Sequence, residues 1–475
     1  MTADPHGYAA TVQGNDSEPE VGCAQQAPAS VRAPDTMTAR HSDLVIDGAL
    51  MNWTPPEGEL DAESASFRGS LGLSTDQPVV MTGHQAEFWH AGILTKYLAA
   101  DAIARRSSGA GSPVSVAWCV PDHVAETPGA VAYPAHALDN GEGRWTRATI
   151  DLFDEQAGED ASPAVGSALD SVRAVLREAG GTKDADRQIE AQSRLLRDRL
   201  GLSPDAPPVL ASTLHTTLLF RGLIERMRSE PDACVGAYND AASALPDAGV
   251  RQLTTGVGRT ELPLWRIDDA GRSHAVFLDD LDDTPFDRVR PRALLFTGLL
   301  RAHACDLFIH GTGGGVYDRV TERWLRDWLG WTLAPAGVAT ATLTLDLGVP
   351  DVSRTDLRRA RWRAHHARHN PAALGESDAL TALQRRKQGY LERIAETPRG
   401  ERDPLYFEMH AMLEEARTAH ARELGALDER VRTIESALAD RAIARDRTWA
   451  WFLHSDEDLV GLREAIDRRL LGIDA

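Results

Sequence analysis

Between residues 78 and 120 the spacing of apolar positions switches from strand to helix and back. Val79, Val80 and Met81 are a short continuous apolar run, followed by a Thr-Gly-His-Gln turn. Ile93, Leu94, Tyr97, Leu98 and Ile103 then recur on one face at helical spacing, which predicts a helix over about 90–106. Gly109 and Gly111 break it, and 113–120 is a nearly continuous apolar run, as inside a parallel sheet. The three segments form a βαβ unit, to which the crossover rule assigns a right-handed turn.

Similar switches follow. A short strand is predicted at 44–46, a strand then a helix across 209–229, and short strands at 262–267 and 274–278. Residues 139–205 are charged, with helical stretches at 168–179 and 189–200, and read as an insertion. At 305–330 the pattern is a strand (Leu307, Phe308, Ile309), a Gly-rich loop from His310 to Gly315 and an amphipathic helix over 317–329, stopped by Gly330.

From about 376 long helices are predicted. Leu380, Leu383, Tyr390 and Ile394 share a stripe, and 396–404 reverses the chain. A second stripe runs through Leu405, Met409, Met412, Ala416 and Ala419. It continues through Leu424, Leu427, Val431, Ile434 and Leu438, with one slip between Ala419 and Leu424. This arm outruns the first, so its end needs another partner, either the 456–471 helix or a second subunit. The aromatic residues of 447–453 suit docking on the core. Residues 1–42 are rich in Ala, Pro, Asp and Ser without period and read as a disordered leader.

The 475 residues carry a formal charge of -20, which opposes nonspecific binding to nucleic acid or anionic lipid. No apolar run reaches membrane-spanning length. Four dispersed cysteines without zinc spacing make a reducing cytoplasm the simplest setting. Only Lys96, Lys183 and Lys387 are lysines, and no Walker-type loop is present. Gly-x-Ser-x-Gly and His-Glu-x-x-His motifs are absent as well, which removes the best support for a hydrolase.

Candidate chemistry gathers at three strand ends. Thr82, Gly83, His84 and Gln85, followed by His90 and Gly92, combine a close-approach glycine with free helix N–H groups and imidazoles, a setting for a phosphate or carboxylate. Asp122-His123 ends the next strand, where Asp could orient the His, bind an amine or cap the following segment. His310, Gly311, Gly313 and Gly314 read as an anion nest at a helix start, with Tyr317 and Asp318 in its first turn. His365, His366 and His369 have ligand spacing but sit among arginines, so no metal site is expected.

The segment VVMTGHQAEFWHAGILTKYLAADAI resembles the Thr-Gly-Gln-Gln-x-Gly region of the bacillithiol-biosynthesis cysteine-adding enzymes, the BshC family of cysteine ligases. VSVAWCVPDH is similar to that family's strand ending in Asp-His, and TWAWFL and the helical hairpin are similar too. His84 stands where Gln is usual and Glu87 replaces the Gly. The core is also similar to class I aminoacyl-tRNA synthetases. His90-Ala-Gly92-Ile93 stands for their His-Ile-Gly-His, and their Lys-Met-Ser-Lys-Ser loop has no counterpart.

The resemblance implies an α/β fold: a Rossmann-like parallel sheet core (43–375, insertion at about 139–205) with a long antiparallel coiled-coil hairpin (376–446) and a docking segment (447–475). It implies a cytoplasmic homodimer that joins cysteine to an amino-sugar-type amine in low-molecular-weight thiol biosynthesis. No resident cofactor is implied, ATP or ADP being the candidate nucleotide, and neither nucleic acid nor membrane is an expected partner. On this reading Thr82, Gly83, His84, Gln85, His90 and Gly92 polarise the carboxylate, Asp122 and His123 hold the amine, and the 310–314 segment cradles an anion. The alternative is a non-catalytic nucleotide- or metabolite-binding module with an interaction arm.

Overall fold

In the computed structural model the described residues are 43–475, apart from 124–127, 140–141, 155–159, 257–258, 376 and 473–475. The leader predicted at 1–42 lies outside them. The strands are β1 (Val45–Ile46), β2 (Val79–Gly83), β3 (Ser115–Val120), β4 (Ala130–Asp139), β5 (Glu142–Asp151) and β6 (Val209–Leu210). They continue with β7 (Thr255–Gly256), β8 (Arg259–Ile267), β9 (Ser273–Phe277), β10 (Val289–Pro291), β11 (Leu307–His310) and β12 (Ala336–Thr340).

The central sheet has the order β1-β12-β11-β2-β3-β6. β1 pairs antiparallel with β12, and every other pairing is parallel. The fold is mixed α/β. From β2 the chain moves outward to β3 and β6, then returns to place β11 on the other side of β2, so the order reverses between β2 and β11.

Alternation along the strands builds a core on each face. Val80, Val116, Trp118 and Ile309 pack against the Ala91–Gly109 and Asp456–Leu471 helices. Val79, Met81, Ala117, Cys119 and Phe308 pack against the Leu218–Ser229, Ala293–His303 and Thr312–Leu329 helices. Covering both faces is what makes the strand sequences continuously apolar.

Two sequence readings change. Within and ahead of the charged 139–205 stretch stands a hairpin, β4 with β5, in full register from Ala130 opposite Asp151 to Asp139 opposite Glu142. The Asn-Gly pair that separates the two strands in sequence is a hairpin signal. The helices after it are Pro163–Glu178 and Asp184–Leu200. The long second arm is two helices, Asp403–Ala419 and Ala421–Ala444, broken at His420 where the stripe slips. The first lies against Asp378–Glu396 around Ile394, Met409, Met412 and Leu413. The second finds its partner in the Arg354–His369 helix, through Arg361–Glu435 (2.6 Å) and Arg368–Asp428 (2.6 Å).

A buried polar knot fixes β11 to the helix that follows it. Arg301 pairs with Asp318, donates to Ala334 O from Nε (2.9 Å) and reaches Glu322 (2.7 Å). His310 Nε2 donates to the same Asp318 oxygen at 2.8 Å. Burial alone would raise the Asp318 carboxyl, and the His310 hydrogen bond and the Arg301 charge turn the shift downward. Removing one partner of a buried pair leaves an uncompensated charge. Arg301→Met is therefore expected to cost about 3–5 kcal/mol in urea denaturation, with Arg301→Met/Asp318→Leu recovering most of it. Equal loss in the single and double variants would show that the knot is not what stabilises this corner.

Candidate functional site

Parallel pairing sends the turns after β2, β3, β6, β11 and β12 to one edge of the sheet. Gly83 stands opposite Cys119, and His310 opposite Val338. Two helices start at this edge on opposite faces, Ala91–Gly109 after β2 and Thr312–Leu329 after β11. The order reversal lies between them, the position at which open α/β sheets hold ligands.

The β2 side is tightly built. Thr82 is buried and donates from Oγ1 to Ile309 O (2.9 Å), so it ties β2 to β11. A side chain at Gly83 would collide with Cys119, its Cβ falling 2.0 Å from the carbonyl oxygen and 2.4 Å from Sγ. A Cβ at Gly92 would come within 2.9 Å of His90, Thr340 Oγ1 and Ala341 O, so glycine lets the helix start nestle against the end of β12.

His90 caps the helix. Its Nδ1 accepts from the Gly92 N–H at 3.1 Å, which assigns the proton of the neutral ring to Nε2. His84 Nδ1 is buried without a partner, and the ring lies edge-on to Trp89 at 6.1 Å. Burial, with the charge of Lys96 and the other imidazole, lowers His84 to about 3. Burial, with the charges of Arg447 and Lys96, lowers His90 to about 4. Both rings are neutral at neutral pH.

The charge common to both rings is Lys96, 4 % exposed, whose Nζ donates to Gly83 O at 2.6 Å. No ion pair engages it among the described residues. Burial lowers it to about 8, while the same burial raises the Cys119 thiol to about 12. Tyr97 OH is buried and unpartnered. Gln85, half-buried, lines a cavity of about 20 Å³ with Trp89, Tyr97, Trp118 and Gln192, room for about one water. A wider hollow of about 630 Å³, lined by Phe67, Leu219 and Trp331 among others, contains none of the predicted site residues.

The β11 side departs from the expected loop. Gly311 is the N-cap, and the helix begins at Thr312, taking Gly313, Gly314 and Gly315 into its first turn. Sheet packing overrides the poor helix propensity of glycine there. No side chain caps this start and no acidic residue occupies its first turn, so its N–H groups face the edge. Tyr317 and Asp318 fall in the second turn. Asp318 points inward to His310 and Arg301 instead of into the cleft, and His310 points with it. Tyr317, half-buried, lies 6.4 Å ring to ring from His310.

Asp122 and His123 stand one strand further along. Asp122 Oδ1 accepts from Ser212 N (2.9 Å), so it caps the turn after β6. His123 has two buried nitrogens without partners, and burial with the Arg290 charge lowers it to about 4. The β2 and β11 turns thus face each other across the reversal, with His123 and Arg290 to one side. No cluster of metal-ligating residues occurs among the described residues, and among them no helix is long and apolar enough to cross a membrane.

Lys96, Tyr97, Arg290 and Arg447 were not read as site residues from sequence. Lys96 alone carried a signal: a lysine set among apolar helix positions in a chain with only three. No protein-family model matches the chain, and no curated protein matches it.

The buried ammonium has a thermodynamic signature. An unfolded chain holds the proton to about pH 10.5 and the folded chain only to about 8. The unfolded state therefore binds more protons between these values, and the Lys96 contribution rises with pH across that window. Below pH 8 the burial cost is present in full, about 3 kcal/mol. Lys96→Met is expected to stabilise the ligand-free protein at pH 7 by roughly 1–3 kcal/mol, less whatever the loss of the Gly83 hydrogen bond takes back. Urea curves at pH 7 and pH 10 check this, since the gain must shrink at the higher pH.

Proposed function

We propose that this edge binds the carboxylate of an amino acid and joins it to a small amine. The activity is ligase-like, of the cysteine-to-amino-sugar type that the resemblance implies. The observation that carries the reading is Lys96, a buried cation without a carboxylate partner, flanked by two neutral imidazoles at a helix start. A carboxylate there offsets the charge and accepts hydrogen bonds from Nζ, the His90 Nε2–H and the helix N–H groups. The strand order around the reversal supports a Rossmann-like description of the core.

Chemically, Lys96 and His90 stabilise the oxyanion formed as the amine nitrogen attacks the carboxyl carbon. The C–N bond forms and one carboxyl oxygen departs, as water or on a phosphoryl group if ATP activates the acid. His123, neutral and unpartnered, accepts the proton that the amine loses. Asp122 holds the neighbouring turn and so serves this site indirectly. The open N-terminus of the Thr312–Leu329 helix takes an anionic portion of a substrate or nucleotide, ATP or ADP.

The helical pairs form a coiled-coil arm through which two copies associate, a reading supported by Phe407, 75 % exposed beside Tyr406.

The test is incubation with cysteine and glucosaminyl-malate, with and without ATP, followed by mass spectrometry for the amide. Product is expected from the wild type, and Lys96→Met and His84→Ala/His90→Ala are expected to lose at least a hundredfold in rate while remaining folded. Failure of cysteine and every other amino acid to bind or react would sink the reading. For the arm, Phe407→Glu is expected to halve the mass measured by sedimentation, and an unchanged mass would dismiss that contact.

A further inference from the structure

The chain between the arm and the last helix crosses the candidate edge as a strap. Trp449, Trp451 and Phe452 are buried and anchor it. The Trp451 N–H donates to Trp89 O at 2.7 Å, and Ala450 bridges antiparallel to His90. The residue that begins the strap, Arg447, is exposed, and its Nη2 reaches Thr340 Oγ1 at 3.5 Å. Thr340 stands at the end of β12, against Gly92 in the first turn of the Ala91–Gly109 helix. The Arg447 charge therefore falls on the same ring, His90, that Lys96 acts on from the interior.

Neither cation has a direct ion-pair partner. No ion pair among the described residues involves Lys96 or Arg447. The neighbouring carboxylate, Asp446, is bound to Arg147 and to Thr448 N (2.8 Å) and Oγ1 (2.6 Å). With both imidazoles uncharged, the His90 corner carries the charges of Lys96 and Arg447, opposed by that of Asp446, and a helix N-terminus. One bound carboxylate offsets one of the two positive charges.

We propose that Arg447 is the second arm of an anion clamp and makes the corner selective for a dianionic group, a phosphoryl or sulfate-like tetrahedron, over a simple carboxylate. Guanidinium geometry suits two oxygens of such a group, and an exposed arginine closes on it after entry. The inference rests on the reading of the edge as an anion site and adds the charge class of the ligand. An acid activated as a mixed anhydride with phosphate carries that charge, and the free amino acid does not.

The experiment is a thermal-shift titration of the full chain with sulfate, a dianion, and acetate, a monoanion, at constant ionic strength. Wild type is expected to bind sulfate at least tenfold tighter than acetate. Arg447→Gln is expected to erase that preference with less than a twofold change for acetate, Arg447→Lys to restore part of it, and Lys96→Met to weaken both anions. Because Arg447 is exposed, the melting temperature of Arg447→Gln without added anion is expected to match the wild type. A sulfate preference that survives Arg447→Gln while Lys96→Met abolishes binding overturns the clamp and leaves the anion site standing. A wild type that binds neither anion overturns both.

Discussion

Lys96 is the condition to which the candidate edge conforms. An ammonium buried without a carboxylate is costly, and its surroundings answer it only in part, with one backbone carbonyl from Gly83. Burial holds the groups around it uncharged: His84 and His90 stay neutral, with the Lys96 charge adding to the effect, and Cys119 stays a thiol against that charge. On the proposed reading, a site of this kind gives up stability in the free protein and recovers it when an anion binds.

The scaffold around that charge is tied together at several points. Asp306 accepts from the Val79 N–H (2.7 Å) and from Arg68 (2.9 Å), which aligns the starts of β2 and β11. Thr82 joins their ends, and the Arg301–Asp318–His310 knot holds the helix after β11. Two helix starts on opposite faces are thereby fixed toward one crevice. His310 and Asp318 read as parts of an anion-binding segment in the sequence, but His310 Nε2 and Asp318 Oδ2 are spent on this support. What remains open at the edge is the backbone of the Gly-rich turn.

The arm and the edge are linked by chain continuity. The Ala421–Ala444 helix packs on Arg354–His369, donates from Arg441 to Val352 O and holds the β5 hairpin through Asp440, which accepts from Trp145 N at 3.1 Å. Three residues beyond its end stands Arg447, the exposed cation of the corner. The buried Trp449 and Trp451 anchor the chain just beyond it.

The sequence by itself determined the elements at which the period of apolar residues changes. β2, the helix after it, β3 and β11 were legible because a strand covered on both faces and a half-buried helix impose different spacings. It also located the three strand ends that carry histidine, aspartate and glycine. It did not show that the Gly-rich stretch is helical, since intrinsic propensity argues for a loop and only packing reverses it. Nor did it show the partner of the 421–444 helix, because an apolar stripe states that it needs cover without saying which element supplies it. The candidate edge depends on distances between residues far apart in the chain. Lys96 beneath Gly83, Arg447 against Thr340 and Asp318 turned toward Arg301 come from the order of strands in the sheet, and local pattern holds no record of that order.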